Sequence, residues 1–395
     1  MQKIIDIINY LNDPNLVAQT QNYFNLKLVD VIDDDNKSTN ENKFSDNSTS
    51  LKHVKSVNHL DNKKCLYLVE NKIFYWLFLF ITNIGNEVFY ISFLPFVTWN
   101  YDDKIMILAC MSWAINMYIG QATKDILKMP RPSTPPVVKI EDRYLHEYGF
   151  PSTHAMAVFT ISWTLLTFVF KDTALGNNYN LQIIVSILSY FLIFLVCLSR
   201  IYLGMHSYLD IFGGLIFAYL INTVFISVSK SVYDIIHDSF LIGTLFSSMF
   251  LLVCFIYPNK NRWSSARADT FLIMGVGTGL SFGMTCKSTL HIEDMGKINF
   301  NKRSINDYSL FNLVIIRTLL GLILLVTVRF VCKSLFYFGL KKYYNLKSNV
   351  SNEDIKEIIK NNYKIEIAYN FFCYSSISFS SVFNSFLLFQ IFNIV

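Results

Sequence analysis

The chain is predicted to be an all-α, polytopic bundle of transmembrane helices, with about eight or nine spans. Three observations carry that reading. Only 16% of the 395 residues are charged while 52% are hydrophobic, whereas a soluble domain carries about 25% charge. Thirty-five Phe and 23 Tyr deepen the bias, and mean hydropathy is +0.35. Apolar runs also recur along the chain at roughly the twenty residues a helix needs to cross the hydrocarbon layer.

Residues 1–70 are polar overall. Residues 1–32 have room for a short amphipathic helix. Residues 33–50 are dominated by Asp, Asn, Ser, Thr and Lys, offer almost nothing to bury, and are expected to be disordered. The start has one Lys and an apolar run broken by Asp6 and Asn9, and is not expected to act as a signal peptide. The first long apolar stretch is therefore expected to direct insertion.

That stretch, residues 73–99, is long for one crossing and carries Asn83, Asn86 and Glu87 in its middle. It reads as an interfacial piece followed by a spanning helix. Clearer runs follow at 104–122, 155–170, 181–198 and 208–228, and weaker ones at 241–257, 271–285, 310–331 and 368–391. On this pattern residues 71–230 form a motif-bearing core and 231–395 supply additional helices. Gly275, Gly277 and Gly279 lie inside an apolar run without the strand and turn of a dinucleotide site, so close helix packing is expected there.

A net charge of +5 is weak for this length. It suits anionic headgroups or a phosphate and gives no indication of nucleic acid. The seven cysteines are scattered singly with no CxxC, so neither a zinc site nor a disulfide framework is expected.

Chemistry concentrates in three fragments at the ends of apolar runs. They are Lys124 with Arg131-Pro132 (K-x6-R-P), Pro151-Ser152-Thr153-His154, and Ser199-Arg200 with His206 and Asp210 (S-R-x5-H-x3-D). His206 and Asp210 are four residues apart, a spacing that shares one face of a helix. A carboxylate accepting from one ring nitrogen leaves the other with a free lone pair, as a histidine nucleophile requires. His154 follows a helix-start sequence and can protonate a leaving oxygen. Ser152 and neighbouring amides sit where helix N-termini bind phosphate. Lys124, Arg131 and Arg200 are cations of the kind that neutralise a phosphoryl group in transfer. Taken singly, each fragment is also compatible with helix capping or with cations snorkelling at a membrane boundary. Together they fill every role of a phosphoryl-transfer site. If runs 104–122 to 208–228 all cross, the fragments fall on one side of the membrane. No carboxylate cluster stands among them to hold Mg²⁺, so metal-independent chemistry without a cofactor is expected.

These fragments resemble the three signatures of the type 2 phosphatidic acid phosphatase superfamily, which also includes the vanadium haloperoxidases and glucose 6-phosphatase. The superfamily usually has Gly where this chain has Thr153. That departure, with YIGQATKDILKMPRPSTPPVVK, EYGFPSTHAM and SRIYLGMHSYLDI, makes residues 85–215 similar to the sphingosine-1-phosphate phosphatases. The resemblance implies a phosphatase-like core in which His206 attacks phosphorus and Asp210 orients it. His154 would serve the leaving group and then water, while Lys124, Arg131, Ser152 and Arg200 hold the phosphate. It further implies hydrolysis of sphingosine 1-phosphate and its dihydro form at the endoplasmic reticulum membrane, with the acyl chain kept in the bilayer. Phosphatidate, a polyprenyl pyrophosphate or glucose 6-phosphate would fit the same fragments. A non-catalytic membrane phosphate-binding protein is the remaining alternative. Asn36, Asn47 and Asn349 begin N-x-[ST] sequences and are expected on the side of the catalytic loops, a side that the resemblance places in the lumen and the excess of Lys and Arg places in the cytosol.

Overall fold

A computed structural model describes residues 2–33, 54–58, 63–85, 87–141, 147–172, 178–258, 263–292, 310–345, 350–392 and 394. Most of the segment expected to be disordered, and all three N-x-[ST] asparagines, lie outside the described residues. The elements run in the order α1 (Gln2–Leu11), α2 (Pro14–Tyr23), β1 (Leu26–Asp33), β2 (Val54–Asn58), β3 (Lys63–Val69), α3 (Lys72–Ile84), α4 (Glu87–Asn100), α5 (Asp103–Leu127), α6 (Thr153–Asp172), α7 (Tyr179–Tyr202) and α8 (Tyr208–Asp238). There follow α9 (Phe240–Ile256), α10 (Ser265–Thr289), α11 (Leu310–Tyr343), α12 (Asn352–Asn361), α13 (Tyr363–Val382) and α14 (Asn384–Ile391).

The protein is a helical, multi-pass membrane protein. Among the described residues six helical stretches are long and apolar enough to cross: Asp103–Leu127, Thr153–Lys171, Tyr179–Tyr202, Tyr208–Asp238, Phe311–Tyr343 and Tyr363–Ile391. Large apolar side chains along α7 and α8, such as Ile187, Phe191, Ile216 and Val224, are exposed, as expected of surfaces facing lipid. The eight or nine spans expected from the sequence exceed these six for identifiable reasons. Helix α9 is apolar but has 17 residues. Helix α10 has 25 but carries Arg267, Asp269 and Lys287. The run at 73–99 divides at Gly85 into α3 and α4, of 13 and 14 residues.

Two compact units make up the chain. The first comprises Met1–Glu87, Thr123–Ser162 and Ile183–Tyr219. Its N-terminal part contains a three-stranded antiparallel sheet of order β1-β3-β2, an addition to the all-helical expectation. Strand alternation puts Leu26 opposite Val69 and Leu28 opposite Tyr67. Leu26, Tyr67 and Val69 then pack with Tyr75 and Phe78 of α3 and with Tyr202, Leu203 and Met205 after α7. The sheet thus braces the turn that leads to His206. Helix α2 starts on an Asp13 cap with Pro14 at its first position. Its Gln21 side chain is buried, donates to the Val138 and Tyr202 carbonyls at 2.6 and 2.8 Å, and accepts from Val138 N at 3.0 Å. One amide side chain therefore pins the proline-rich connection to the end of α7.

The second unit comprises Val88–Ala122, Trp163–Gln182 and Leu220–Val395. Within it α10 and α13 lie backbone to backbone. A Cβ at Gly275 would meet the Phe371 carbonyl, and one at Gly279 the Ser375 carbonyl. Close packing through small residues is what the sequence predicted for GVGTG. Buried ion pairs add to it: Arg267 to Glu366 at 2.6 Å, and Lys287 to Asp103.

Candidate active site

Four consecutive helices of the bundle bring alternate ends together. The C-terminal ends of α5 and α7 meet the N-terminal ends of α6 and α8, all four ends lying in the first unit. The local sequence dictates each end. Helix α7 stops in a Schellman turn, in which Met205 N donates to Arg200 O and Gly204 N donates to Ile201 O. Gly204 has φ +69°, and a Cβ there would run into the Val138 carbonyl. Three residues later Ser207 caps α8. Its Oγ accepts from Asp210 N at 3.2 Å, and the Asp210 carboxylate accepts from Ser207 N at 2.8 Å.

That capping box places the carboxylate beside the histidine. His206 stands before α8 rather than on it, so the pair meets through the turn and not along a helix face. His206 Nδ1 lies 3.5 Å from Asp210 Oδ2, and no hydrogen bond to Nδ1 is made among the described residues. On the far side of the ring Arg131 Nη1 is 3.4 Å from Nε2. A guanidinium only donates, so Nε2 is the accepting nitrogen and Nδ1 carries the proton toward Asp210.

Arg131 is fixed by further bonds, with Nε donating to Glu147 O at 3.0 Å and Nη1 donating to Met205 O. Lys124, near the end of α5, donates to Thr153 Oγ1 and to Glu147 Oε2, both at 3.1 Å. Arg200 donates to Thr82 Oγ1 at 2.7 Å and to Glu141 Oε2 at 2.8 Å. Ser152 precedes α6 and is tied to α8 by its N–H, which donates to Asp210 O at 3.0 Å. Its Oγ is buried and has no hydrogen-bond partner among the described residues. His154, one residue into α6, is buried, with its ring against Gly85. A Cβ at Gly214 would press on the Ser152 carbonyl at 2.7 Å, so glycine lets α8 approach the α6 start this closely.

All seven residues singled out from sequence thus belong to this one unit, and each lies at a helix end or in an adjoining turn. Direct contacts link Lys124 to Thr153, Arg131 to His206, and Ser152 to Asp210.

The chain was compared with known proteins. The PAP2 superfamily model matches residues 105–233, from α5 to late in α8. Sphingosine-1-phosphate phosphatase 2 of Homo sapiens is 34% identical over 79% of this chain and 76% of its own length. The chain belongs to the sphingosine-1-phosphate phosphatase family. It is thereby a phosphatase of the PAP2 superfamily. Sphingosine-1-phosphate phosphatase 2 of Mus musculus is 41% identical over 55% of this chain, a match spanning 60% of that relative, under two thirds of its length. A dihydrosphingosine 1-phosphate phosphatase of Schizosaccharomyces pombe is 32% identical over 35% of the chain and 34% of its own length. No solved structure matches the chain.

The surroundings of His206 set its charge. Burial pushes the imidazole well below the ordinary 6.5, and the Arg131, Arg200 and Lys124 cations push the same way. The ring is therefore neutral at neutral pH, with its Nε2 lone pair available. Among the described residues no three His, Cys, Asp or Glu side chains gather as metal ligands. Sequence reasoning missed Glu141, Glu147, Thr82 and Gln21. The first two had a visible signal, being acids between two signature fragments rich in cations.

Proposed function

We propose that this phosphatase hydrolyses sphingosine 1-phosphate and its dihydro form through a phosphohistidine on His206, without a metal ion. His206 Nε2 attacks phosphorus and the bond from phosphorus to the ester oxygen breaks. The departing sphingoid alkoxide takes a proton from His154, which enters as the imidazolium. Water then attacks the phosphohistidine and gives its proton to the now neutral His154. The P–N bond breaks, inorganic phosphate leaves, and His206 regains its lone pair. His206 keeps its Nδ1 proton throughout, and Asp210 balances the positive charge on the phosphorylated ring.

Lys124, Arg131 and Arg200 would surround the equatorial oxygens, with Ser152 Oγ and the α6 amides completing the cradle. Such a set neutralises a phosphoryl dianion without recruiting a cation from solution. The observation that carries the reading is the orientation of His206, with Nε2 toward Arg131 and Nδ1 toward Asp210. The substrate class rests on the relatives, whose names specify sphingoid phosphates. A membrane-end site also lets the acyl chain stay among apolar groups, at about 0.8 kcal/mol per CH₂. We place this activity in the endoplasmic reticulum membrane, with residues 71–230 as the catalytic core and 231–395 completing the bundle.

The test is phosphate release by washed membranes in the presence of chelator. Sphingosine 1-phosphate, phosphatidate and glucose 6-phosphate would be compared, with wild type and His206→Ala. Chelator-resistant release from the sphingoid ester, lost by about 10⁵-fold or more in the variant, is expected. Preference for another ester would overturn the substrate. Chelator sensitivity would overturn the metal-free mechanism.

A further inference from the structure

The cations assigned to phosphate already hold an anion. Glu147 Oε2 is 3.1 Å from Lys124 Nζ and 3.6 Å from Arg131 Nη2, and the carboxylate side chain is only 3% exposed. It bridges two cations as a phosphate oxygen would. The Glu147 carbonyl is held separately by Arg131 Nε. The side chain can therefore turn about its own torsions while the backbone stays anchored. A phosphoryl dianion entering between Lys124 and Arg131 competes with this carboxylate for the same N–H groups. Displacement costs this buried carboxylate two cation contacts, and a cation carried by the substrate would replace them.

We propose that Glu147 takes the ammonium group of the substrate and so selects phosphate esters that carry a cationic amine beside the ester carbon. This rests on the sphingoid reading above and deepens it. In a sphingoid 1-phosphate the ester oxygen is on C1 and the amine on C2, so anion and cation arrive as neighbours. Binding then exchanges ion pairs: the phosphate takes Lys124 and Arg131, and the amine takes Glu147. Phosphatidate brings no cation to replace the two that its phosphate takes. Glu141, the counterion of Arg200, is 18% exposed, so water can solvate it when it is displaced. The requirement for a substrate cation therefore falls on Glu147.

The experiment uses the full chain in detergent micelles, with sphingosine 1-phosphate and its N-acetyl derivative, an amide without the charge. Wild type, Glu147→Gln and Glu147→Asp would be compared by the ratio of kcat/KM for the two substrates, which cancels differences in folded fraction. A wild-type preference for the amine of about a hundredfold is expected. It collapses to within a few-fold in Glu147→Gln and is intermediate in Glu147→Asp. An unchanged ratio in Glu147→Gln overturns the proposal. So does a wild type that cleaves both substrates equally, which leaves the sphingoid reading intact. A wild type that cleaves neither but cleaves phosphatidate overturns that reading and the present one with it. Thermal stabilisation by inorganic phosphate is the second measurement and does not need turnover. Glu147→Gln should respond at about tenfold lower phosphate than wild type, since the competing internal anion is gone; an equal response overturns the proposal.

Discussion

In the first unit, Lys124, Arg131 and Arg200 meet carboxylates supplied by one interhelical connection, Glu141 and Glu147. In the second, Arg267 of α10 meets Glu366 of α13, and Lys287 of α10 meets Asp103 at the start of α5. All five cations are buried. A carboxylate carried by a helix is held by the packing of that helix, so its pair behaves as a fastener. A carboxylate on a connection can turn away and leave its cation to a ligand. Buried charge alone therefore does not mark a site. What distinguishes the candidate site is the origin of the counterion, together with two helix N-termini that meet there.

The comparison can be tested by removing one cation on each side. Arg131→Ala is expected to lower kcat/KM by about 10³-fold or more, measured with a sphingoid phosphate, because in the proposed mechanism it removes donors to the phosphoryl oxygens. Arg267→Ala should instead destabilise the fold by about 3–5 kcal/mol, since it removes the cation paired with the buried Glu366 carboxylate. Thermal denaturation in detergent would show that loss, while kcat per folded molecule stays within a few-fold of wild type. Equal losses of kcat in both variants would break the distinction.

A smaller effect is expected from Gln21→Ala, which leaves the Val138 N–H and two carbonyls without their partner. Roughly 2–3 kcal/mol of stability should be lost, with the first unit opening earliest in hydrogen exchange. Uniform exchange across both units would count against Gln21 as a local brace.

The last test sharpens the electrostatics. In the proposed mechanism His206 must be neutral to attack, and burial together with the neighbouring cations holds its imidazole well below the ordinary 6.5. The acid limb of kcat/KM that belongs to this group should therefore lie below pH 6.5. Arg131→Gln removes a nearby positive charge, which eases protonation and moves that limb upward. The substrate's own second ionisation, about pH 6, gives a limb that does not move with the variant. A limb unmoved in Arg131→Gln would reject the cation as a cause.

The apolar runs at 104–122, 155–170, 181–198 and 208–228 located α5 to α8 closely, because long hydrophobic stretches with polar ends have few other solutions in a membrane. The cations and histidines of the candidate site were legible as a group because helix ends are where such residues survive, and the fold gathers them in one unit. The sheet was not: β1 and β3 pair across about thirty intervening residues, and short strands carrying lysines give a weak period-two signal. Gln21 was equally hidden, since nothing local announces that an amide on α2 will serve backbone groups over a hundred residues away. The His206–Asp210 spacing suggested one helix face, whereas Ser207 starts the helix between them and the meeting is made by a cap.

The arrangement of alternate helix ends also imposes a rule of parity on how this protein can change. Lys124 and Arg200 close their helices, whereas Ser152 and Asp210 sit at the openings of theirs, and consecutive crossings reverse direction. One extra crossing inserted between α5 and α8 would send part of the constellation to the opposite face of the bilayer and divide it. Two extra crossings would restore it. Growth before α5 or after α8 leaves the constellation whole, whatever the number added, and an odd number added before α5 simply turns the intact constellation to the other compartment. Relatives with different total numbers of helices can thus share one reaction centre, provided that this block of four is inherited undivided.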